Sequence, residues 1–181
     1  MAIHPDLHGK TAMVTGGGRG IGKAISSALA RAGVKVAIAE IDEAIGRQVE
    51  KELVSQGYEA RFIETDVTSS SSIRKAVEET ITIFGNIDIA VNNAGVNDTN
   101  LSSVAYCLKW ELQQMTTQGR GGFIINISSS GALKTRPTMP AYCASKHGVA
   151  ALTTTAAKEN SHNQISVNAV APRHDQNCNA Y

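Results

Sequence analysis

Residues 11–22 read TAMVTGGGRGIG, a short apolar run followed by a cluster of glycines that is the strongest indication of the fold. Its first five residues are apolar or β-branched and predict a short strand. Glycines after such a strand let the backbone approach a pyrophosphate, and the helix that follows offers free N–H groups and a positive dipole end. The spacing Gly16-x-x-x-Gly20-x-Gly22 differs from the G-x-G-x-x-G string, and an ordinary tight turn is the alternative. The strand before the glycines and the helix after them favour a phosphate-binding turn.

The same succession of strand, turn and helix repeats along the chain. Five more strands are predicted, at 34–40, 59–66, 87–91, 122–128 and 165–170. The first three predicted helices end at Gly33, Gly57 and Gly85, each shortly before an apolar run. Glycine accepts the left-handed backbone that ends a helix. Short apolar strands alternating with helices, joined by right-handed crossovers, predict a doubly wound parallel sheet of the Rossmann type, a three-layer α/β/α fold.

An acidic residue ends the second predicted strand. Glu40 lies 18 residues after Gly22, where a carboxylate can accept hydrogen bonds from a ribose 2′-hydroxyl and would repel a 2′-phosphate. A solvated charge at a strand end is the alternative. Together with the glycine turn, Glu40 predicts NAD as the cofactor in preference to NADP, whereas Arg19 in the turn favours the opposite choice weakly.

The segment YCASK, Tyr142–Lys146, combines a phenol and an ammonium four residues apart. On a helix these positions lie on one face, so the two polar groups can share a site. Such pairs also arise by chance on solvated surfaces. Hydride transfer to or from a carbonyl needs a proton acceptor or donor, and a phenol, which ionises near pH ~10, becomes a better base beside an ammonium.

Composition excludes several classes of function. The chain has 181 residues, 42% apolar and 18% charged residues, and a net charge of +1 without a basic block, which predicts a single globular domain over residues 1–181 and argues against nucleic-acid or membrane partners. The N-terminus lacks the apolar run of a signal peptide. Cys107, Cys143 and Cys178 are an odd number without metal-ligand spacing, which favours a cytoplasmic location and no metal.

Four segments in this order resemble the short-chain dehydrogenase/reductase family of the single-domain type. They are TGGGRGIG after the first strand, NNAG at 92–95, NISSS at 126–130 and YCASK. The resemblance extends from about Leu7 to Pro172. Each segment ends a strand or begins a helix, and ligands of open α/β sheets bind at that edge.

The resemblance implies an NAD(H)-dependent oxidoreductase that acts on a secondary alcohol or ketone. Tyr142 would be the acid/base and Lys146 would make it more acidic, while Ser129, thirteen residues before the tyrosine, would polarise the substrate oxygen; the spacing alone separates it from Ser128 and Ser130. The implied cofactor-binding residues are Gly16, Arg19, Gly20, Ile21, Gly22, Glu40, Asp66, Val67, Asn92, Ala94, Gly95, Tyr142, Lys146 and Pro172. Homodimers or homotetramers are common in the family.

Two departures from the family pattern lead to an alternative function. The passage between NNAG and NISSS is short, so neither Asn97 nor Asn100 is assigned as the asparagine that completes the family's proton relay. After VNAVAP the family's substrate-binding part is not recognisable, which predicts an uncovered sheet edge. The chain therefore resembles a family member shortened in the middle and at the C-terminal end, and the alternative is a catalytically impaired nucleotide-binding or interaction protein of the same ancestry.

Overall fold

The computed structural model describes residues 5–95, 100–135 and 137–173. Asn97 and Cys178 lie outside these ranges. The strands are β1 Thr11–Thr15, β2 Lys35–Glu40, β3 Ala60–Glu64, β4 Ile89–Asn92, β5 Gly122–Ile127 and β6 Ile165–Val170. The helices are α1 Gly20–Arg31, α2 Glu43–Ser55, α3 Ser70–Phe84, α4 Asn100–Gln118 and α5 Pro140–Asn160. The six predicted strands are confirmed to within two residues at either end.

All six strands pair in parallel, in the order β3-β2-β1-β4-β5-β6. The chain runs outward from β1 to β3 and then crosses to β4 on the other side of β1. This reversal opens a crevice at the carboxyl ends of β1 and β4, which is the usual ligand position in such sheets. The predicted doubly wound parallel sheet is confirmed.

Alternate residues of each strand face opposite layers of the core. Met13 packs in the cluster under α3, α4 and α5, whereas its neighbours Ala12 and Val14 pack in the cluster under α1 and α2. Gly33, Gly57 and Gly85 follow the first three helices with φ of +82°, +85° and +90°, as the sequence predicts. Both faces of the central strands are therefore apolar, and polar side chains collect at the strand ends.

The two edges of the described sheet differ in their chemistry. β3 carries the exposed, charged Arg61 and Glu64, whereas β6 is uncharged and Val170 is 50% exposed. Phe123 on the neighbouring strand is 52% exposed. Charged residues protect a sheet edge from pairing with other strands, so within the part of the chain that the structure describes, β6 is the less protected edge.

Candidate active site

The glycine turn joins β1 to α1 through backbone that side chains would obstruct. Gly16 and Gly20 have φ of +62° and +52°, in the left-handed region. A Cβ at Gly22 would collide with the carbonyl oxygen of Gly16, whereas a Cβ at Gly20 would have no other atom within 4 Å. The start of α1 has no side-chain cap and no acidic residue in its first turn. The turn is thus tightly packed against itself and open toward the crevice.

The second residue of the NNAG segment holds this turn in place. Asn93 Nδ2 donates to the carbonyl oxygens of Thr15, at 3.0 Å, and Gly16, at 3.2 Å. The Thr15 hydroxyl in turn accepts from the backbone N–H groups of Asn93 and Ala94 at 3.1 and 3.2 Å. Sequence reasoning missed Asn93, although its place directly after a strand facing the crevice is a usable signal.

Asn92 does not lie where the sequence analysis expected it. Its side chain is only 2% exposed and donates to Glu111 and Asn126 inside the core. Side chains of consecutive strand residues point to opposite faces, so Asn92, the last residue of β4, still belongs to the interior. Asn93, Ala94 and Gly95 line the crevice instead.

A cleft of about 420 Å³ lies at the carboxyl ends of β1, β2, β3 and β4. It is lined by Gly16, Arg19, Glu40, Ile41, Thr65, Asp66, Val67, Thr68, Asn93, Ala94 and Gly95. Seven of the fourteen predicted cofactor-binding residues are among them. Gly20, Ile21 and Gly22 belong to the adjoining first turn of α1, where Ile21 is 53% exposed. Tyr142 and Lys146 on α5, and Pro172 after β6, do not line the cleft.

Glu40 is held at the rim of this cleft by backbone amides. Its carboxylate accepts from the N–H groups of Gly18 at 3.2 Å, Ile41 at 3.1 Å and Asp42 at 3.4 Å, and the side chain is 5% exposed. Arg19 lies 3.8 Å from Glu40 and 3.3 Å from Asp42. The guanidinium is therefore already paired with two carboxylates, which reduces its capacity to attract a further anion.

Asp66 shapes the opposite wall of the cleft. Its Oδ1 accepts from the backbone N–H of Thr68 at 2.9 Å and from the Thr68 hydroxyl at 2.8 Å. The Ser72 hydroxyl oxygen accepts a hydrogen bond from the backbone N–H of Asp66 at 3.0 Å. These bonds fix the turn between β3 and α3, so Asp66 and Val67 face the cleft in a defined conformation.

Ser129 and Tyr142 meet around Gly131, after β5. A Cβ at position 131 would lie 3.4 Å from Cε1 of Tyr142 and 3.5 Å from Oγ of Ser129. Ser129 Oγ accepts from the N–H of Gly131 at 3.1 Å. Ser128 is buried and its hydroxyl donates to the carbonyl of Lys146 at 3.2 Å, so its role is structural. Ser129 Oγ and the Tyr142 ring thus lie on the same side of Gly131.

Lys146 lies one helical turn after Tyr142 and is 8% exposed. Its Nζ donates to the carbonyl oxygen of Ile127 at 2.9 Å and is 5.9 Å from the centre of the Tyr142 ring. Burial lowers the pKa of Lys146 from its ordinary value. An ammonium has three N–H donors, so the bond to Ile127 uses one of them.

Asn100, which the sequence analysis left unassigned, lies within this group. It is the first residue of α4, is 4% exposed, and its amide oxygen is so close to Gly95 that a Cβ there would collide with it. The same Cβ would lie 3.9 Å from Lys146 Nζ. Few residues separate Asn100 from the NNAG segment, and for this reason the sequence did not assign it to the site. In the fold, the start of α4 nevertheless lies against Gly95.

Pro172 contributes through its backbone. Its carbonyl accepts from the N–H of Ser130 at 3.1 Å, and the N–H of Ser128 donates to Val170 at 2.8 Å. These bonds tie the end of β6 to the serine segment. Pro172 thus lies beside the serine segment and is not among the residues that line the cleft.

A family model for short chain dehydrogenases matches residues 10–174. The chain belongs to the short-chain dehydrogenase family. Among curated relatives, it is 45% identical over 185 residues to the short chain dehydrogenase/reductase astE of Aspergillus oryzae, covering 92% of this chain and 71% of the relative. It is 36% identical to sorbitol dehydrogenase of Cereibacter sphaeroides, covering 92% and 70%.

The fold of this short-chain dehydrogenase is also that of solved structures. NAD⁺-bound xylitol dehydrogenase superposes with a TM-score of 0.88 at 32% identity, covering 92% of this chain and 71% of the other. The family membership, the Rossmann-type fold and an oxidoreductase identity therefore agree with the sequence analysis.

No helix in the described residues combines the length and apolar character needed to cross a bilayer. Within the same ranges, no group of three or more His, Cys, Asp and Glu side chains is arranged to hold a metal ion. The candidate site of this dehydrogenase thus consists of the glycine turn, the cleft and the Ser129, Tyr142 and Lys146 group.

Proposed function

We propose that this short-chain dehydrogenase transfers a hydride between NAD(H) and a secondary alcohol or ketone, with Tyr142 as the acid/base. The observation that carries the proposal is the convergence of Ser129 and Tyr142 on Gly131, with Lys146 beside the tyrosine ring. The group lies at the carboxyl edge of the sheet, next to a cleft with the features of a nucleotide site.

The residues of the cleft fit a dinucleotide. Gly20 leaves open space at the start of α1, where a phosphate would meet free N–H groups and the positive end of the helix dipole. Asp66 and Val67 would border the adenine, and Ala94 and Gly95 its ribose. The nicotinamide would supply the hydride acceptor or donor, and the protein would orient it and move the proton.

Proton transfer would take place at the Tyr142 hydroxyl. In alcohol oxidation the phenolate accepts the proton of the substrate hydroxyl while the C–H electron pair leaves as hydride; in ketone reduction the phenol returns the proton to the alkoxide oxygen. Ser129 Oγ–H would donate to the same substrate oxygen and stabilise its developing charge.

Lys146 would favour the phenolate because a nearby positive charge stabilises the charged form of the phenol. Its anchoring to the carbonyl of Ile127 holds the ammonium in a buried, weakly screened position. Its remaining donors would bind the nicotinamide ribose.

Asn100 would be a positioning residue in the same site. Its amide oxygen lies against Gly95, and Lys146 Nζ approaches the same glycine. An amide can both donate and accept, so this side chain would connect the lysine to the ribose-side turn.

The preference for NAD over NADP is supported by Glu40. Its carboxylate lines the cleft and accepts from three backbone N–H groups, so it can accept from a 2′-hydroxyl and would repel a 2′-phosphate. Arg19, the residue that could attract that phosphate, is paired with Glu40 and Asp42. The structural neighbour xylitol dehydrogenase is described as NAD⁺-bound.

A cytoplasmic location and assembly into homodimers or homotetramers stay predictions. The second is tested by the mass of the particle in solution, measured by light scattering with and without NADH.

The deciding experiment titrates the purified 181-residue chain with NADH and NADPH and then measures turnover on a panel of secondary alcohols and ketones. NADH binding tighter than NADPH binding, with NADH-linked reduction of at least one ketone, is expected. Cofactor binding without turnover on the whole panel would instead favour the alternative, a nucleotide-binding protein without catalysis. Tighter binding of NADPH would contradict the assignment of Glu40.

A further inference from the structure

A buried carboxylic acid lies behind the candidate site, in the middle of α4. Glu111 has 0% exposure, and its Oε2 accepts a hydrogen bond from Asn92 Nδ2 at 2.9 Å. Its Oε1 has no hydrogen-bond partner among the described residues. A buried, incompletely paired carboxylate is costly, so a residue of this kind calls for a physical explanation.

The bond to Asn92 is the first of a chain of side-chain hydrogen bonds. Asn92 Nδ2 also donates to Asn126 Oδ1 at 2.9 Å, and Asn126 Nδ2 donates to the Thr153 hydroxyl at 2.9 Å. Thr153 then donates to the carbonyl of Val149 at 2.7 Å. The chain crosses from α4 through β4 and β5 to α5.

Each of these four elements carries part of the candidate site. Asn92 is followed directly by the turn 93–95, and α4 begins at Asn100. β5 leads into Ser129, and α5 carries Tyr142 and Lys146. The network therefore joins, from behind, the elements whose ends must keep a fixed distance at the crevice.

The unpaired oxygen atoms near Glu111 indicate which protonation state of its carboxyl group completes the network. Two buried acceptors in the described chain have no donor, Oε1 of Glu111 and Oδ1 of Asn92, and they belong to the same interacting pair of side chains. A proton on the carboxyl group would supply the missing donor. Burial raises the pKa of Glu111 to about 7, against a lowering by the Asn92 hydrogen bond.

Among the described residues, no ion pair to Glu111 is found, and the nearby charged and titratable groups have other surroundings. Cys107, one turn earlier on α4, is buried, and burial raises the pKa of its thiol, with a further increase from Glu111. On α5, Lys146 donates to a strand carbonyl. On α3, Arg74 lies over the Trp110 ring, 5.3 Å from its centre. The network residues Asn92 on β4, Asn126 on β5 and Thr153 on α5 are uncharged. β6 has no titratable residue.

We propose that Glu111 is a positioning residue that, as a neutral carboxylic acid, holds the strand end before the turn 93–95 in register with the helix carrying Tyr142 and Lys146. Ionisation would remove the donor that completes the network and place an unpaired charge in the core. The carboxylic acid is protonated in both folded and unfolded chains below about pH 4.5. Stability from this group is therefore lost as the pH rises from there through about 7.

The test compares Glu111→Gln and Glu111→Ala with Glu159→Gln, an exposed glutamate of α5 as the control. Glutamine reproduces the donor and acceptor of the neutral acid at every pH. Urea unfolding of the cofactor-free proteins, from about pH 5 to about pH 9, should show a decline in stability for the wild type and the control that is absent from Glu111→Gln. Parallel curves for wild type and Glu111→Gln would overturn the neutral-acid assignment.

The positioning role has its own readout in hydrogen exchange of the same cofactor-free proteins. Peptides that cover 92–95 and 142–146 should exchange faster in Glu111→Ala than in Glu111→Gln, relative to the rest of the sheet. Unchanged exchange there would overturn positioning. If Glu111→Ala does not fold, exchange of the same peptides is compared for the wild type below and above pH 7, after division by the intrinsic amide exchange rate at each pH. The corrected exchange should change in the wild type and stay the same in Glu111→Gln.

The activity readout rests on the proposed oxidoreductase function. NADH-linked kcat should fall about tenfold to a hundredfold in Glu111→Ala and recover in Glu111→Gln. An absence of wild-type turnover would count against the proposed function alone, because the unfolding and exchange results do not require it. Equal kcat in wild type and Glu111→Ala would contradict positioning for catalysis.

Discussion

In the half of the sheet that we propose binds the nucleotide, β1–β3 with α1 and α2 (the nucleotide half), Glu40 is held by backbone N–H groups of the neighbouring turns. In the half that we propose carries the catalytic residues, β4–β6 with α4 and α5 (the catalytic half), Asn92, Asn126 and Glu111 are held by one another's side chains. Backbone amides are present whatever the sequence, whereas a side-chain network needs every partner. We therefore expect the catalytic half to be more sensitive to single substitutions and the nucleotide half to respond mainly in cofactor choice.

The largest effect is expected at the acid/base of the catalytic half. Tyr142→Phe removes the only group that this proposal uses to move the proton, so kcat should fall on the order of 10³-fold. NADH affinity should change little, because the ring is kept. Steady-state kinetics and a fluorescence titration measure the two quantities, with Tyr106→Phe on α4 as the control. Turnover equal to wild type in Tyr142→Phe would contradict the assignment of the base.

A smaller loss is expected at the start of α4. Asn100→Ala removes the amide that lies against Gly95, the glycine that Lys146 Nζ also approaches. It should lower kcat about tenfold to a hundredfold, because a displaced lysine misorients both cofactor and tyrosine. Ser102→Ala, an exposed position in the same helical turn, is the matched control. An unchanged kcat in Asn100→Ala would remove this residue from the site.

In the nucleotide half, Glu40→Ala should alter cofactor choice more than rate. The substitution removes the acceptor for a 2′-hydroxyl and one of the two carboxylates paired with Arg19. The ratio of the NADH and NADPH dissociation constants should shift about tenfold toward NADPH, which corresponds to about 1.4 kcal/mol. Calorimetric titration measures both constants. Glu40→Gln, which keeps the size and an acceptor, should shift the ratio less; equal ratios in all three proteins would contradict the role of Glu40.

The smallest effect is expected for an ion pair on the surface of the nucleotide half. Lys23 Nζ lies 2.7 Å from Glu52 Oε2, and this hydrogen bond lowers the pKa of Glu52. Its stabilisation is present above the ordinary pKa of 4.5 and is lost as the pH falls through the lowered value. Both side chains are more than a third exposed, so Glu52→Gln should cost less than about 1 kcal/mol at pH 7. Urea unfolding measures the change in the free energy of unfolding. A loss of several kcal/mol would contradict the expectation that solvent screens this ion pair.

Glu52 and Glu111 thus have opposite pH dependence. The pairing of Glu52 with Lys23 favours the charged carboxylate, so acid removes its contribution. Burial of Glu111 favours the neutral acid, so its contribution is lost as the pH rises toward about 7. Unfolding curves of the two Gln variants across the same pH range would separate a solvated charge from a buried one.

The sequence alone determined the six strands, the glycine helix ends, the parallel sheet, the glycine turn and the candidates Glu40, Tyr142 and Lys146. These features depend on local backbone preference, on hydrophobic periodicity and on motif spacing within a few residues, all of which are present in a linear string. The choice of cofactor and the identity of the acid/base are still predictions, but the residues concerned lie at the edge of the sheet where ligands bind.

The contacts between segments far apart in the chain could be seen only in the three-dimensional structure. Asn92 and Asn93 are neighbours of identical type, and the direction in which the strand ends sends one into the core and the other to Thr15, 78 residues earlier. Asn100 approaches Gly95 and Lys146 because α4 packs beside α5, and Glu111 meets Asn92 because the sheet brings β4 under that helix. Side-chain partners of this kind depend on packing in three dimensions, which local preferences do not encode.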